Sequence, residues 1–179
     1  MARAAYETAN GLLAAARDAG VDESLFHQLP GWRANELLDQ VLDTFTKQGR
    51  RGRLRYWMWE DFREPSLCLP NGHDIALLTT LGSGTSRVWL IVEDFSDSKA
   101  GAPFWLFEAT LDAIALVLRN HHHLEFYVVS RDLTWLIDVN YSCSRTTIIL
   151  AEQGQVGWSA TATSGRSESG WVKRSRSHV

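Results

Sequence analysis

The stretch from Phe104 to Leu150 restricts the possible folds of this chain more than any other, because a helical period runs directly into two strand periods. Leu111, Ile114, Ala115 and Leu118 stand at i, i+3, i+4 and i+7, the spacing of an apolar stripe on one helix face, and Leu116 and Val117 widen it. The spacing predicts a helix from Glu108 to Arg119, entered through the aromatic run Phe104-Trp105-Leu106-Phe107 and ended near Asn120. Leu124, Phe126 and Val128 then alternate with Glu125, Tyr127 and Val129. After Ser130-Arg131-Asp132 the alternation resumes, with Leu133, Trp135, Ile137 and Val139 against Thr134, Leu136 and Asp138. Period two on both sides of a short polar turn predicts antiparallel strands Leu124 to Ser130 and Leu133 to Asn140. The face carrying Leu133, Trp135, Ile137 and Val139 is expected under the helix, since a strand with one buried side puts its aliphatic set there.

Upstream, Tyr6, Ala9, Leu13 and Ala16 recur at helical spacing and Gly20 suits the position just past a helix end. Asp22 can cap a short second helix carrying Leu25 and Phe26, which Pro30-Gly31 would close. Leu37, Leu38, Val41, Leu42 and Phe45 predict a third helix from Arg33 to Gly49. Strands are expected at Asp74 to Leu81 and Ser86 to Asp94, joined by Gly82-Ser83-Gly84-Thr85, and another at Thr146 to Leu150. Together these predict an α+β fold: N-terminal helices and a mainly antiparallel four- to six-stranded sheet with a helix packed on one face.

A chain of 179 residues, 45% of them hydrophobic, can bury one sizeable core, so a single domain over 1–159 is expected. From Gly154 onward Ser, Thr, Gly and Arg dominate, and residues 160–179 read as a mobile basic tail. Arg166, Lys173, Arg174 and Arg176 against Glu168 give residues 163–179 a charge of +3, which leaves −6 on residues 1–162. An acidic body disfavours nucleic acid and favours a basic protein partner. The run Arg50-Arg51-Gly52-Arg53-Leu54-Arg55 beside Tyr56, Trp57 and Trp59 interleaves charge and aromatics, but Glu60, Asp61 and Glu64 follow at once, and a solvated helix exit accounts for it better than single-strand binding. Cys68 and Cys143 lack metal or redox spacing, no run has the form of a secretory leader, and none reaches membrane-spanning length, so a cytoplasmic protein is expected.

Residue types that carry chemistry occur without a recognisable pattern. There is no Gly-X-Ser-X-Gly elbow, no His-Glu-X-X-His, and Gly82 and Gly84 lack the Lys-Ser/Thr and following helix of a phosphate loop. In His121-His122-His123, His121 and His123 would share a strand face and could chelate a metal, making a metal-assisted hydrolase the enzyme alternative, but no third ligand stands at a familiar spacing. The expectation is therefore no cofactor and no catalytic set. Glu93, Asp94, Glu125 and Asp138 fall near strand ends and can converge if strand order allows; as an acidic rim around Tyr127, Trp105 or Trp135 they would suit capture of a basic protein. Glu93, Asp94, Tyr127 and Asp138 are the candidate partner-binding residues.

Four segments resemble a small uncharacterised bacterial family: Trp57-Met58-Trp59-Glu60, the strand Trp89 to Asp94, the Phe-Trp-Leu-Phe-Glu helix entry, and the hairpin beginning Glu125-Phe126-Tyr127-Val128-Val129-Ser130 and continuing to Trp135-Leu136. The resemblance covers roughly residues 54–140. It departs where such proteins continue with a Cys-Glu-Asn-His-His type run, since here the residues are Asp138-Val139-Asn140-Tyr141-Ser142. It implies no activity residue by residue; by analogy alone, small acidic single-domain bacterial proteins of this look are often associated with toxin immunity. The expected function is thus a non-enzymatic protein-binding module, an immunity-type protein occluding a basic toxin or effector, with a structural adaptor attached through its tail as a further alternative.

Overall fold

The computed structural model describes residues 2–52, 58–63, 66–70, 84–93, 104–119, 124–140 and 145–151. Three helices are present among them: α1 (Ala2–Asp18), α2 (Gly31–Phe45) and α3 (Leu111–Leu118). The strands are β1 (Phe26–Gln28), β2 (Ser66–Pro70), β3 (Arg87–Glu93), β4 (Phe104–Thr110), β5 (Phe126–Ser130), β6 (Trp135–Asn140) and β7 (Arg145–Leu150). They form one sheet in the order β1-β4-β3-β5-β6-β7-β2, with every pairing antiparallel. The α+β reading therefore holds, and β5 and β6 are antiparallel neighbours in the register Tyr127↔Asp138 and Val129↔Leu136. The sheet has one strand more than the upper expectation when the three-residue β1 is counted.

Helices cover both faces, which the one-face expectation did not include. Val88, Leu90, Val92, Phe107, Phe126, Val128, Ile137 and Ile148 pack on one side with Ala9, Leu12 and Ala16 of α1 and Leu111, Ile114 and Leu118 of α3. Trp89, Ile91, Leu106, Tyr127, Val129, Leu136 and Ile149 pack on the other with Leu37, Leu38, Val41, Leu42 and Phe45 of α2 and with Met58 and Phe62. The signal was in the strands: Val88-Trp89-Leu90-Ile91-Val92 is apolar at every position, as two-sided burial requires. Leu90 and Ile91 are both fully buried, and each such side chain contributes roughly 1.5–3 kcal/mol.

Three local readings change for identifiable reasons. Phe104 to Thr110 is a strand, because Leu106 faces α2 while Phe107 and Ala109 face α1 and α3, so its aromatics serve both cores. The helix then begins only at Leu111, where the Thr110 side chain caps it by accepting from Ala113 N at 3.3 Å. Asp22 caps a turn through Ser24 N (2.8 Å) and the chain enters β1, not a helix, with Phe26 stacked on Phe107 at 5.1 Å; Pro30 precedes α2 as its N-cap. Leu133 stands in the left-handed region (φ 56°) and packs with the α2-side core, so β6 starts at Trp135 and only Trp135, Ile137 and Val139 lie on the α3 side.

Gly20 (φ 69°) ends α1 as expected, with Val21 N donating to Ala16 O at 2.9 Å. At Gly84 a side chain would collide with the Asp112 carboxylate, since Asp112 N donates to Gly84 O as α3 begins. The expected strand Asp74 to Leu81 and the tail 160–179 lie outside the described residues. No helix among the described residues is long and apolar enough to cross a membrane.

Candidate functional site

The acidic residues singled out from the sequence do converge, but inside the molecule. On the α2 side of the sheet two neighbouring cross-strand lines carry them: Ile91, Tyr127, Asp138 and Thr147 in one, and Glu93 with Glu125 and Asn140 in the next. Glu93 N donates to Glu125 O at 3.1 Å, which continues the β3–β5 pairing by one residue. Glu93, Glu125, Asp138 and Asn140 are 1–3% exposed and Tyr127 is completely buried. The expected exposed rim is therefore corrected for Glu93, Tyr127 and Asp138: α2 and the Met58–Phe62 segment cover the face that a one-sided sheet would have left in water. Asp94, His121 and His123 lie outside the described residues.

The cover over this cluster is built locally. Thr46 ends α2 and bridges to Phe62; Lys47 N donates to Asp61 O at 2.8 Å and Arg63 N to Phe45 O at 2.8 Å. These bonds lay residues 58–63 along the exit of α2, and Met58 N then donates to Glu93 Oε1 at 3.1 Å. The Tyr127 hydroxyl donates to the same oxygen, and the Phe62 ring meets the Tyr127 ring edge-on at 6.0 Å. Arg50, first in the basic run, folds back on Asp43 with Nε and Nη2 both at 2.7 Å from Oδ2 and holds that carboxyl below its usual range. Arg53 and Arg55 are outside the described residues.

Electrostatics at the cluster follow from burial. Asp138 is pushed well above the usual carboxylate range, chiefly by desolvation and then by Glu93 and Glu125, with a hydrogen bond to Thr147 opposing the rise. Its Oδ1 has no hydrogen-bond partner. Burial likewise raises Tyr127 well above the ordinary phenol value, aided by the same three acids. A buried carboxyl with an unused oxygen beside two further carboxyls is biased toward its protonated form, and can accept a hydrogen bond from a cation that brings compensating charge. Among the described residues no three His, Cys, Asp or Glu side chains are placed to hold a metal ion.

At the opposite end of the same face lies a group that the sequence reading did not assemble. Glu108 of β4 stands across from Trp89 of β3 and His27 of β1. Its Oε1 accepts from Arg131 Nη1 at 2.7 Å and Arg87 Nη1 at 3.5 Å, and its Oε2 is 4.0 Å from His27 Nε2. The Arg131 guanidinium also lies over the Trp89 ring, 4.6 Å from its centroid. Four separate segments contribute these side chains, so no sequence spacing could have announced them. The two tryptophans read as candidate anchors, Trp105 and Trp135, pack half-buried on the α3-side core; Trp32 at the start of α2, which the sequence reading did not single out, is 72% exposed.

These features define a two-faced α+β protein with a buried acidic cluster near one end of its sheet. A model of a family of unknown function, DUF6756, matches residues 12–153, and the chain belongs to that family. No curated protein and no solved structure matches it.

Proposed function

We propose that this chain is a non-enzymatic protein-binding module that takes a cationic group from a basic partner, in the manner of an immunity protein occluding a toxin or effector. The observation that carries the reading is Asp138, a buried carboxyl with one unpartnered oxygen whose neighbouring carboxyls on the sheet are Glu93 and Glu125. Like charges held together out of water are costly, and an arginine or lysine side chain would supply both a donor for Oδ1 and the compensating charge. Glu93 ends β3 and Asn140 ends β6, so the cluster lies toward the strand ends beneath the Met58–Phe62 cover, which a partner displaces to reach it. Trp32 supports the same reading as an exposed aromatic of the kind that anchors interfaces.

Titration of the intact chain with short arginine- and lysine-containing peptides, followed by NMR of the Asp138 carboxyl carbon, tests the proposal. Binding should lower the apparent Asp138 pKa toward the ordinary carboxylate value. An unmoved carboxyl resonance at saturating peptide, or equal affinity in Asp138→Asn, would remove the basis for it.

A further inference from the structure

The cluster around Glu108 has more donors than acceptors. Arg87 and Arg131 each use one nitrogen on Glu108, whereas a guanidinium carries five N–H groups, so most of their donor capacity is left over. One carboxylate faces two permanent positive charges. Arg131 is 48% exposed and Arg87 and His27 are each 36% exposed at the side chain, so the surplus is open to solvent. The adjacent Asp132 does not balance it, because its Oδ1 accepts from Thr134 N (3.2 Å) and Thr134 Oγ1 (2.8 Å) within its own turn.

A second observation points to the same deficit. Trp89, across the β3–β4 pair from Glu108 and beneath the Arg131 guanidinium, is 4% exposed, and its indole N–H has no hydrogen-bond acceptor. A buried unsatisfied donor costs about 1–3 kcal/mol and native proteins carry few of them. The buried polar atom of this group that lacks a partner is a donor, and the surplus N–H groups of the two arginines are donors that face solvent. What would complete it is an oxyanion.

We infer that Arg87 and Arg131, with the Trp89 indole and His27 beside them, form a binding site for an oxyanion, either a phosphate or the carboxylates of an acidic peptide. Arg131 is the principal ligand: its planar fork suits two oxygens at once, and stacking on Trp89 fixes its plane. Arg87 supplies the second charge. Glu108 positions both arginines and, as a like charge, limits the affinity. The site is independent of the acidic cluster, from which it differs in sign, exposure and place on the sheet.

The test uses the full chain with two probes, inorganic phosphate and a short Asp/Glu-rich peptide. The readout is the Trp89 indole N–H resonance, assigned by its loss in Trp89→Phe. At least one probe should shift that resonance saturably, and the tighter of the two identifies the source of the oxyanion. Arg131→Gln should weaken binding about tenfold or more, the loss of one charge-assisted hydrogen-bond pair, while Glu108→Gln should tighten it by removing the competing carboxylate. Arg131 is half exposed and Glu108 is 16% exposed, and thermal melts check that both variants remain folded. A network that only braces the sheet predicts no saturable shift with either probe and no gain in Glu108→Gln. Either result, or affinity unchanged in Arg131→Gln, would overturn the site.

Discussion

The two ends of the α2-covered sheet face use the same kinds of residue to opposite effect. At one end Glu93, Glu125 and Asp138 are buried together, and desolvation with the neighbouring carboxyls pushes Asp138 well above the usual carboxylate range. At the other end Glu108 meets Arg87 and Arg131 at a half-open surface, where water and opposite charge share the work. A carboxylate's role is thus set by what covers it, and the cover at the acidic end is the Met58–Phe62 segment tied to the exit of α2. The contrast also separates two kinds of expected mutational effect: loss of stability at the buried end, loss of recognition at the open one.

The largest expected effect is at Glu93. Glu93→Ala removes the acceptor shared by Tyr127 Oη and Met58 N, leaving two buried donors unsatisfied, and should cost roughly 2–4 kcal/mol in urea unfolding. A variant as stable as the parent would mean that relief of repulsion with Asp138 outweighs those bonds. Next is a change in pH dependence. Because Asp138 is raised above its unfolded value of 3.8, the native state binds the extra proton, and its contribution to stability is full below that value and is lost as pH rises through the folded one. Asp138→Asn should flatten this decline, gaining on the parent as pH rises; parallel stability curves would place the charge elsewhere.

Tyr127→Phe keeps the ring against Phe62 and removes one hydrogen bond to an oxygen that Met58 N still occupies, so about 1 kcal/mol is expected. The smallest effect belongs to the open end: Arg131→Gln should change stability by less than about 1 kcal/mol, since its pair with Glu108 and its stacking on Trp89 are partly solvated. If Arg131→Gln proved as damaging as Glu93→Ala, the distinction between a structural end and a recognition end would fail.

Much of the architecture was legible because local patterns and tertiary packing agree. The hairpin Phe126–Ser130 with Trp135–Asn140, the third helix from the Leu37 to Phe45 repeat, and the Gly20 helix end all follow from periods and turn chemistry that operate within a few residues. Phe104 to Thr110 was misread because a strand buried on both faces lacks alternation and resembles the entry to an apolar helix. The candidate site was half legible. Glu93, Tyr127 and Asp138 could be nominated from their places on strands, yet the same nomination put them in water.

What the chain determined by itself is therefore which segments become strands and helices, and which side chains share a face, since the two- and 3.6-residue periods are properties of the local backbone. Whether a face meets solvent is not local. Only the tertiary structure brought α2 and Met58–Phe62 over the second face, turning an expected acidic surface into a buried cluster that pushes the Asp138 carboxyl well above its usual range. Only it brought β1, β3, β4 and the β5–β6 turn together around Glu108, because antiparallel pairing joins residues as far apart as His27 and Arg131 by hydrogen bonds that leave no trace in sequence spacing.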